Sequence, residues 1–251
     1  MAGHRIKSSK DIVYGIHSVI EAIKSGKEIQ KIFLKTNFRS ELFGELYNLI
    51  KERKLPFQYV PQEKLDRFTG KNHQGVVALI SPVEYVNIDV FLPSVFEKGK
   101  TPLILVLDRI TDVRNFGAIA RTAECAGVDA MVIPAKGSAI INSDAVQTSA
   151  GALHSIPVCR VNNLRQAVKD LKDSGLQIIA ATEKASDNYY SVDFTLPTAI
   201  ILGSEDEGIS EDLLGLSDNA VRIPLAGTIE SLNVSAAAAA ILFEAVRKRM
   251  V

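Results

Sequence analysis

The chain has 251 residues, 47% hydrophobic and 23% charged, with no tryptophan. Such a balance excludes a disordered or fibrous chain and suits one large domain or two modest ones, each with a proper core. No apolar run reaches the roughly 18 residues of a membrane span, and the polar start MAGHRIKSSKD carries no signal-peptide segment, so a cytoplasmic protein is expected.

Lysine plus arginine and aspartate plus glutamate both number 29, but the zero net charge hides an asymmetry. Residues 1–80 hold 14 basic against 8 acidic side chains, a balance of +6, and the remainder carries −6. A basic first third joined to an acidic remainder points to polyanion binding in one part and chemistry in another. Cys125 and Cys159 have no metal-ligand spacing, and His4, His17, His73 and His154 are scattered. Neither a metal site nor a disulfide framework is expected, and both cysteines read as buried, reduced side chains.

In chain order, residues 1–10 read as a disordered tail. A helix is expected from Ile12, with Ile16, Val19, Ile20 and Ile23 on one face and Gly26 closing it. The strand Lys31–Leu34, a helix over Ser40–Arg53, the strand Phe57–Val60, a short helix to Phe68 and the strand Val76–Ile80 follow, giving a small α/β domain over residues 11–82. Its polar loop Gly70–Gly75 is bounded by glycines. Residues 83–100, with scattered Pro and Gly, read as a linker with one helical turn.

From residue 101 the pattern changes to short continuous apolar runs, Leu103–Leu107, Ala130–Ile133, Ile156–Val161, Gln177–Ala181, Ala199–Leu202 and Val221–Leu225, separated by helix-length segments. Continuous runs denote strands buried on both faces of a parallel sheet. Ligands of such sheets bind beyond the carboxyl ends of the strands. That rule selects Asp108–Arg121, Thr182-Glu183, Gly203–Gly208 and Leu225–Asn233.

Three stretches carry the chemistry. In the first, a strand end leads through Asn115 and Gly117 into a helix bearing Arg121, where an anion would meet both helix dipole and guanidinium. The second, Gly203-Ser204-Glu205-Asp206-Glu207-Gly208, matches neither a dinucleotide fingerprint nor a P-loop. Its three acids suit a ligand carrying positive charge or hydroxyls, with Glu205 as the functional acid and Asp206 and Glu207 as solvated neighbours. In the third, a strand ending at Ile223-Pro224-Leu225 passes through a glycine loop to Ser231-Leu232-Asn233-Val234-Ser235, whose polar side chains are good caps for the alanine-rich helix that follows. Ala236–Ala240 presents only methyl groups and permits very close approach of another backbone.

Asn115-x-Gly117-x-x-x-Arg121, Gly203-Ser204-Glu205-x-Glu207-Gly208 and Ile223-Pro224-Leu225 with Ser231–Ser235 resemble the three ordered motifs of the SpoU/TrmH (SPOUT) family of RNA ribose 2'-O-methyltransferases. Tyr14-Gly15-Ile16-His17 and His73-Gln74-Gly75 resemble landmarks of that family's substrate-binding domain, and the pairing of the two resembles the bacterial 23S rRNA guanosine branch. Val113 stands where the family usually has proline. The resemblance implies an α/β fold with a deep C-terminal trefoil knot in the parallel-sheet domain of residues 101–251, preceded by a small ribosomal-protein-like domain. It also implies S-adenosyl-L-methionine as cofactor and a homodimer acting on rRNA, or else on tRNA. By motif position Arg121, Asn115, Glu205, Ser231 and Asn233 would be catalytic, and Thr182, Gly203, Ile223, Leu225, Leu232 and Asn233 would hold the cofactor. From the charge split, Lys31, Lys35, Arg39 and Lys71 are candidate RNA contacts, with His73 and Gln74 reading a base or ribose edge. A non-catalytic RNA-binding assembly factor is the rival from another class. An oxidoreductase is a weaker one, since no Gly-x-Gly-x-x-Gly follows Leu107.

Overall fold

The computed structural model describes residues 11–36 and 41–250, and the chain divides into two compact units, Met1–Glu84 with Ile140–Ser143, and Tyr85–Ala139 with Asp144–Val251. In the first, β1 (Ile12–Tyr14), α1 (Ile16–Lys24), β2 (Ile29–Lys35), α2 (Glu41–Glu52), β3 (Phe57–Val60), α3 (Gln62–Asp66) and β4 (Val76–Ile80) follow one another. The sheet order is β1-β4-β2-β3, with β4 antiparallel to both neighbours and β2 parallel to β3. Ile16, Val19, Ile20 and Ile23 of α1 pack with Ile32, Leu34, Leu46 and Ile50 in one core. The helix expected from Ile12 therefore begins later. Ile12-Val13-Tyr14 is β-favouring and pairs with β4, and Gly15, at φ 86°, takes the left-handed turn into α1 that a side chain would resist. The tail of residues 1–10 and Arg39 lie outside the described residues.

The stretch expected as a linker is instead a helix of the second unit, α4 (Ile88–Glu97). Asn87 caps it, its side chain accepting from the Asp89 N–H at 2.9 Å. Ile88, Leu92 and Val95 are buried, and the first two join the core that contains Ile104, Val106, Ile178 and Ile201. Apolar burial at helical spacing outweighs Pro93, which removes one helical hydrogen bond at an exposed position.

The rest of this unit comprises β5 (Leu103–Leu107), α5 (Val113–Cys125), β6 (Ala130–Pro134), α6 (Ser143–Thr148), β7 (Val158–Val161), α7 (Leu164–Asp173), β8 (Gln177–Ala181), β9 (Asp187–Asn188), β10 (Thr198–Leu202), α8 (Glu211–Leu214), β11 (Asn219–Arg222) and α9 (Val234–Arg249). All paired strands are parallel, in the order β7-β6-β5-β10-β8-β11-β9. Every residue of β5 and β10 is buried, all of them apolar except Thr198. β10 lies between β5 and β8, two strands that precede it in the chain, and this order is consistent with a knotted chain. The carboxyl ends of β5 and β10 thereby meet, and the Asp108 N–H donates to the Leu202 carbonyl at 2.8 Å. β11 ends at Arg222, short of the expected Leu225, so Ile223-Pro224-Leu225 is irregular backbone.

Close packing fixes the helices around this end of the sheet. A Cβ on Gly117 would stand 2.7 Å from the Thr148 Cβ and 2.9 Å from the Ala145 carbonyl, so only glycine lets α5 pass α6. At the far end of α9, Arg249 donates to the carbonyls of Phe194, Thr101, Pro102 and Leu196 at 2.7–3.0 Å, and Lys248 to those of Tyr190 and Val192. Those cations anchor the helix to neighbouring loops. Cys159 is buried, and burial pushes its thiol up to about 12. Cys125 is exposed, contrary to expectation, because it lies on the side of α5 opposite Phe116, Ile119, Ala120 and Ala123. Among the described residues no helix is long and apolar enough to cross a membrane, and no group of three or more His, Cys, Asp or Glu side chains could hold a metal ion.

Candidate active site

Beyond the carboxyl ends of β8, β10 and β11 lies a cavity of about 290 Å³. Thr182, Gly203, Ile223, Leu225, Leu232 and Asn233, the expected cofactor residues, all line it, together with Glu205 and Ser231. Each segment arrives for a local reason. The Thr182 N–H donates to the Val221 carbonyl at 2.9 Å, which holds the end of β8 against β11. A Cβ on Gly203 would stand 2.1 Å from the Gly208 carbonyl carbon, so the Gly203–Gly208 loop closes on itself only with glycine there. The Gly208 N–H to Ser204 carbonyl bond, 2.9 Å, completes the loop.

Of the three cap candidates, Asn233 is the N-cap of α9; its Oδ1 accepts the Ser235 N–H at 3.0 Å. Its amide nitrogen reaches the other way, donating to the Asn115 Oδ1 at 3.0 Å and to the Glu205 Oε1. The same Glu205 oxygen accepts from the Asn115 Nδ2 at 3.1 Å and the Val234 N–H at 3.3 Å. Asn115, Glu205 and Asn233 form one polar cluster at the edge of the cavity, and Ser231 lines the cavity without joining it.

Arg121 stands apart. It does not line the cavity, is exposed, and has no hydrogen-bond or ion-pair partner among the described residues. Its apolar sequence neighbours face inward while it projects from the other side of α5. The start of α5 is not an open anion site either, because Asp112 caps it, one carboxylate oxygen accepting the Arg114 N–H at 2.7 Å and the Asn115 N–H at 2.9 Å. Val113, at the first helical position, keeps the cap intact without the family's proline.

Glu183, Arg222, Glu230, Ala237 and Ile241 also line the cavity and were not singled out as site residues. Glu183 and Glu230 lie inside strand-end stretches that the parallel-sheet rule selects. Ala237 and Ile241 are four apart on α9, a spacing that puts them on one face. Three acids and one arginine give this lining a net negative character, and Leu202, Ile223, Leu232 and Ile241 give it apolar walls.

In the first unit a second hollow, of about 370 Å³, is lined by Lys35, Lys71, His73 and Gln74 together with Gln62, Asp66 and Asn72. The Lys35 Nζ donates to the Gln62 Oε1 at 2.6 Å, and the Lys71 ammonium lies 5.9 Å from the Tyr14 ring centroid. Lys31 is not part of the hollow; its ammonium lies 5.4 Å from the Phe33 ring, and burial, aided by nearby Lys64, lowers its pKa. The His73 ring is engaged within the protein. It is buried, its Nδ1 accepts the Gly75 N–H at 3.0 Å, and its Nε2 is 2.8 Å from the Asp66 Oδ1, so both nitrogens are engaged. Gln74 is half-committed, its Oε1 accepting the Ile16 N–H at 3.1 Å at the start of α1. Only its amide nitrogen is left to donate.

Residues 102–243 match the SpoU rRNA Methylase family, and residues 12–86 match the domain described as RNA 2'-O ribose methyltransferase substrate binding. The chain belongs to the SpoU methylase family. The TrmH-family tRNA/rRNA methyltransferase homologue of Staphylococcus haemolyticus is 37% identical over 238 residues, which cover 95% of this chain and 96% of that one. The SpoU methyltransferase AviRb of Streptomyces viridochromogenes, solved with AdoMet bound, superposes with a TM-score of 0.60 at 25% identity, covering 95% and 90% of the two chains. The A. aeolicus TrmH/SpoU tRNA modifying enzyme is 34% identical over 60% of this chain and 77% of its own, with a TM-score of 0.56. This SpoU/TrmH protein is an RNA methyltransferase with S-adenosylmethionine as its cofactor. The lining fits that group: Glu183, Glu205 and Glu230 would complement its positive charges, and Leu202, Ile223, Leu232 and Ile241 would pack against its apolar parts.

Proposed function

We propose that this SpoU/TrmH protein methylates a ribose 2'-OH in RNA, a guanosine of large-subunit 23S rRNA being the substrate, and that it works as a homodimer. The observation that carries the reading is the joining of Asn115, Glu205 and Asn233 into one cluster beside the cavity, with Arg121, unpartnered among the described residues, projecting from the helix that bears Asn115. The cofactor supplies an electrophilic methyl group on sulfur. Asn115, Glu205 and Asn233 hold the walls of the cavity in one geometry, so that the attacking oxygen is aligned with that methyl. The Arg121 guanidinium holds the phosphate beside the target ribose and disperses the negative charge that grows on the hydroxyl oxygen as its proton passes to solvent. Ser231, exposed and on the lining, orients the ribose.

RNA is held by the first unit, through Lys35, Lys71 and the Gln74 amide around its hollow, with Lys31 at a separate place on β2. The homodimer is supported by the exposed apolar side of α9, where Phe243 is 49% exposed beside the small Ala239 and Ala240. A tRNA substrate is the second reading, favoured by the A. aeolicus neighbour that modifies tRNA. Mapping 2'-O-methyl positions in total RNA with and without the protein tests the proposal. Loss of one methyl in 23S rRNA supports it. Loss in tRNA, or of a base methyl, replaces it.

A further inference from the structure

Arg109 is not among the motif residues and does not line the cavity, yet it is built into the loop that does. Its backbone sits at φ 60°, one of four left-handed non-glycine residues among those described. A long side chain gains nothing from that conformation, and such residues persist where surrounding contacts over-determine them. The contacts here are specific. The Arg109 Nε donates to the Asp108 Oδ1 at 3.3 Å, Nη1 to the Glu207 Oε2, and Nη2 to the Gly208 carbonyl at 3.2 Å. Asp108, 5% exposed, uses its second oxygen to accept the Ser210 N–H at 2.7 Å. Asp108 and Arg109 together grip residues 207, 208 and 210, the returning limb of the Gly203–Gly208 loop.

The outgoing limb carries the chemistry: Gly203, Ser204 and Glu205 line the cavity. The two limbs cannot move independently. Ser204 bridges to Gly208, the Glu207 N–H donates to the Ser204 Oγ at 3.2 Å, and Gly203 lies so close to Gly208 that even a Cβ does not fit. Glu205, Asp206 and Glu207 are three consecutive acids, and unpaired they repel one another. Glu207 is solvated as expected, its side chain 67% exposed, and it also pairs with Arg109, which gives this run a cation.

We propose that Arg109 is a positioning residue for cofactor binding: its guanidinium fixes the returning limb at Glu207 and Gly208 and so holds Gly203 and Glu205 in the shape that receives S-adenosylmethionine. The inference rests on the cofactor and not on the identity of the RNA, so it stands or falls apart from the 2'-OH reading. Arg109→Gly isolates it, because glycine adopts φ 60° without strain while removing all three contacts. In the full-length protein, titration calorimetry with S-adenosylmethionine alone should show a Kd about three- to tenfold weaker. Tm should be unchanged or slightly raised, and amide exchange of residues 204–208 should quicken. Arg109→Lys retains the charge but reaches one acceptor at a time, and should restore part of the affinity. A wild-type Kd with wild-type exchange protection in Arg109→Gly overturns the proposal. So does a loss of Tm with the Kd unchanged, since that would make Arg109 a structural residue only.

Discussion

The amide nitrogen of Asn233 donates to the Glu205 Oε1, and that oxygen also takes the Asn115 Nδ2 at 3.1 Å and the Val234 N–H at 3.3 Å. One carboxylate oxygen, just beyond the end of β10, therefore ties the start of α5 to the start of α9. All three side chains are at least partly exposed, so the cluster adds little to global stability and much to local shape.

Removing Asn233 separates these contributions. Asn233→Ala deletes the N-cap of α9 and two of the cluster's bonds, and should destabilise the fold by about 0.5–2 kcal/mol while weakening cofactor binding. Glu205→Gln keeps the size and a carbonyl oxygen that can accept the same bonds but removes the negative charge from the cavity wall, and should lower cofactor affinity with less than about 1 kcal/mol of stability lost. Denaturant unfolding and calorimetry on both variants check this. Normal cofactor affinity in both would remove the cluster from the site.

Arg121→Ala should nearly abolish methyl transfer while cofactor affinity stays within about threefold, less than a kcal/mol. The guanidinium is exposed, unpartnered among the described residues and away from the cavity lining. Single-turnover methyl transfer and cofactor titration on the same sample decide the point; wild-type turnover would take Arg121 out of the reaction.

Ala238 is fully buried on α9. Ala238→Leu should overpack that site at a cost of about 1–3 kcal/mol, visible as a lower denaturation midpoint. Ala239→Leu, at a half-buried position on the same helix, should act on assembly instead and shift light scattering from dimer toward monomer. A wild-type protein that scatters as a monomer would refute the dimer.

RNA affinity should weaken with salt at a log-log slope of about −0.7 to −0.9 per phosphate contact. Lys35→Glu with Lys71→Glu removes two cations from the hollow in the first unit. Filter binding across a salt series should then show a shallower slope by roughly 1–2 and weaker binding, with cofactor Kd untouched. An unchanged slope would place the phosphate contacts elsewhere.

Local chemistry was legible in the sequence. Leu103–Leu107 and Gln177–Ala181 read as strands because burial on both faces leaves continuous apolar residues, broken only by Gln177 at the start of the second, and both are strands with those bounds. Asn233 read as a cap candidate, and Glu205 as the acid nearest a strand end, because each depends on neighbours a few positions away. Pattern failed where two tendencies compete: Pro93 and the nearby glycine made α4 look like a linker, although Leu92 and Val95 had a core to enter. Tertiary structure alone decided what distant segments do to one another. The His73 ring nitrogens are taken by Asp66 and the Gly75 N–H. Arg109 found its partners 98 and 99 residues away, and Arg249 captured carbonyls up to 148 residues distant. A side chain's type states which bonds it can make; which groups come within about 3 Å of it is set by how β10 is placed between β5 and β8, and no local pattern encodes that.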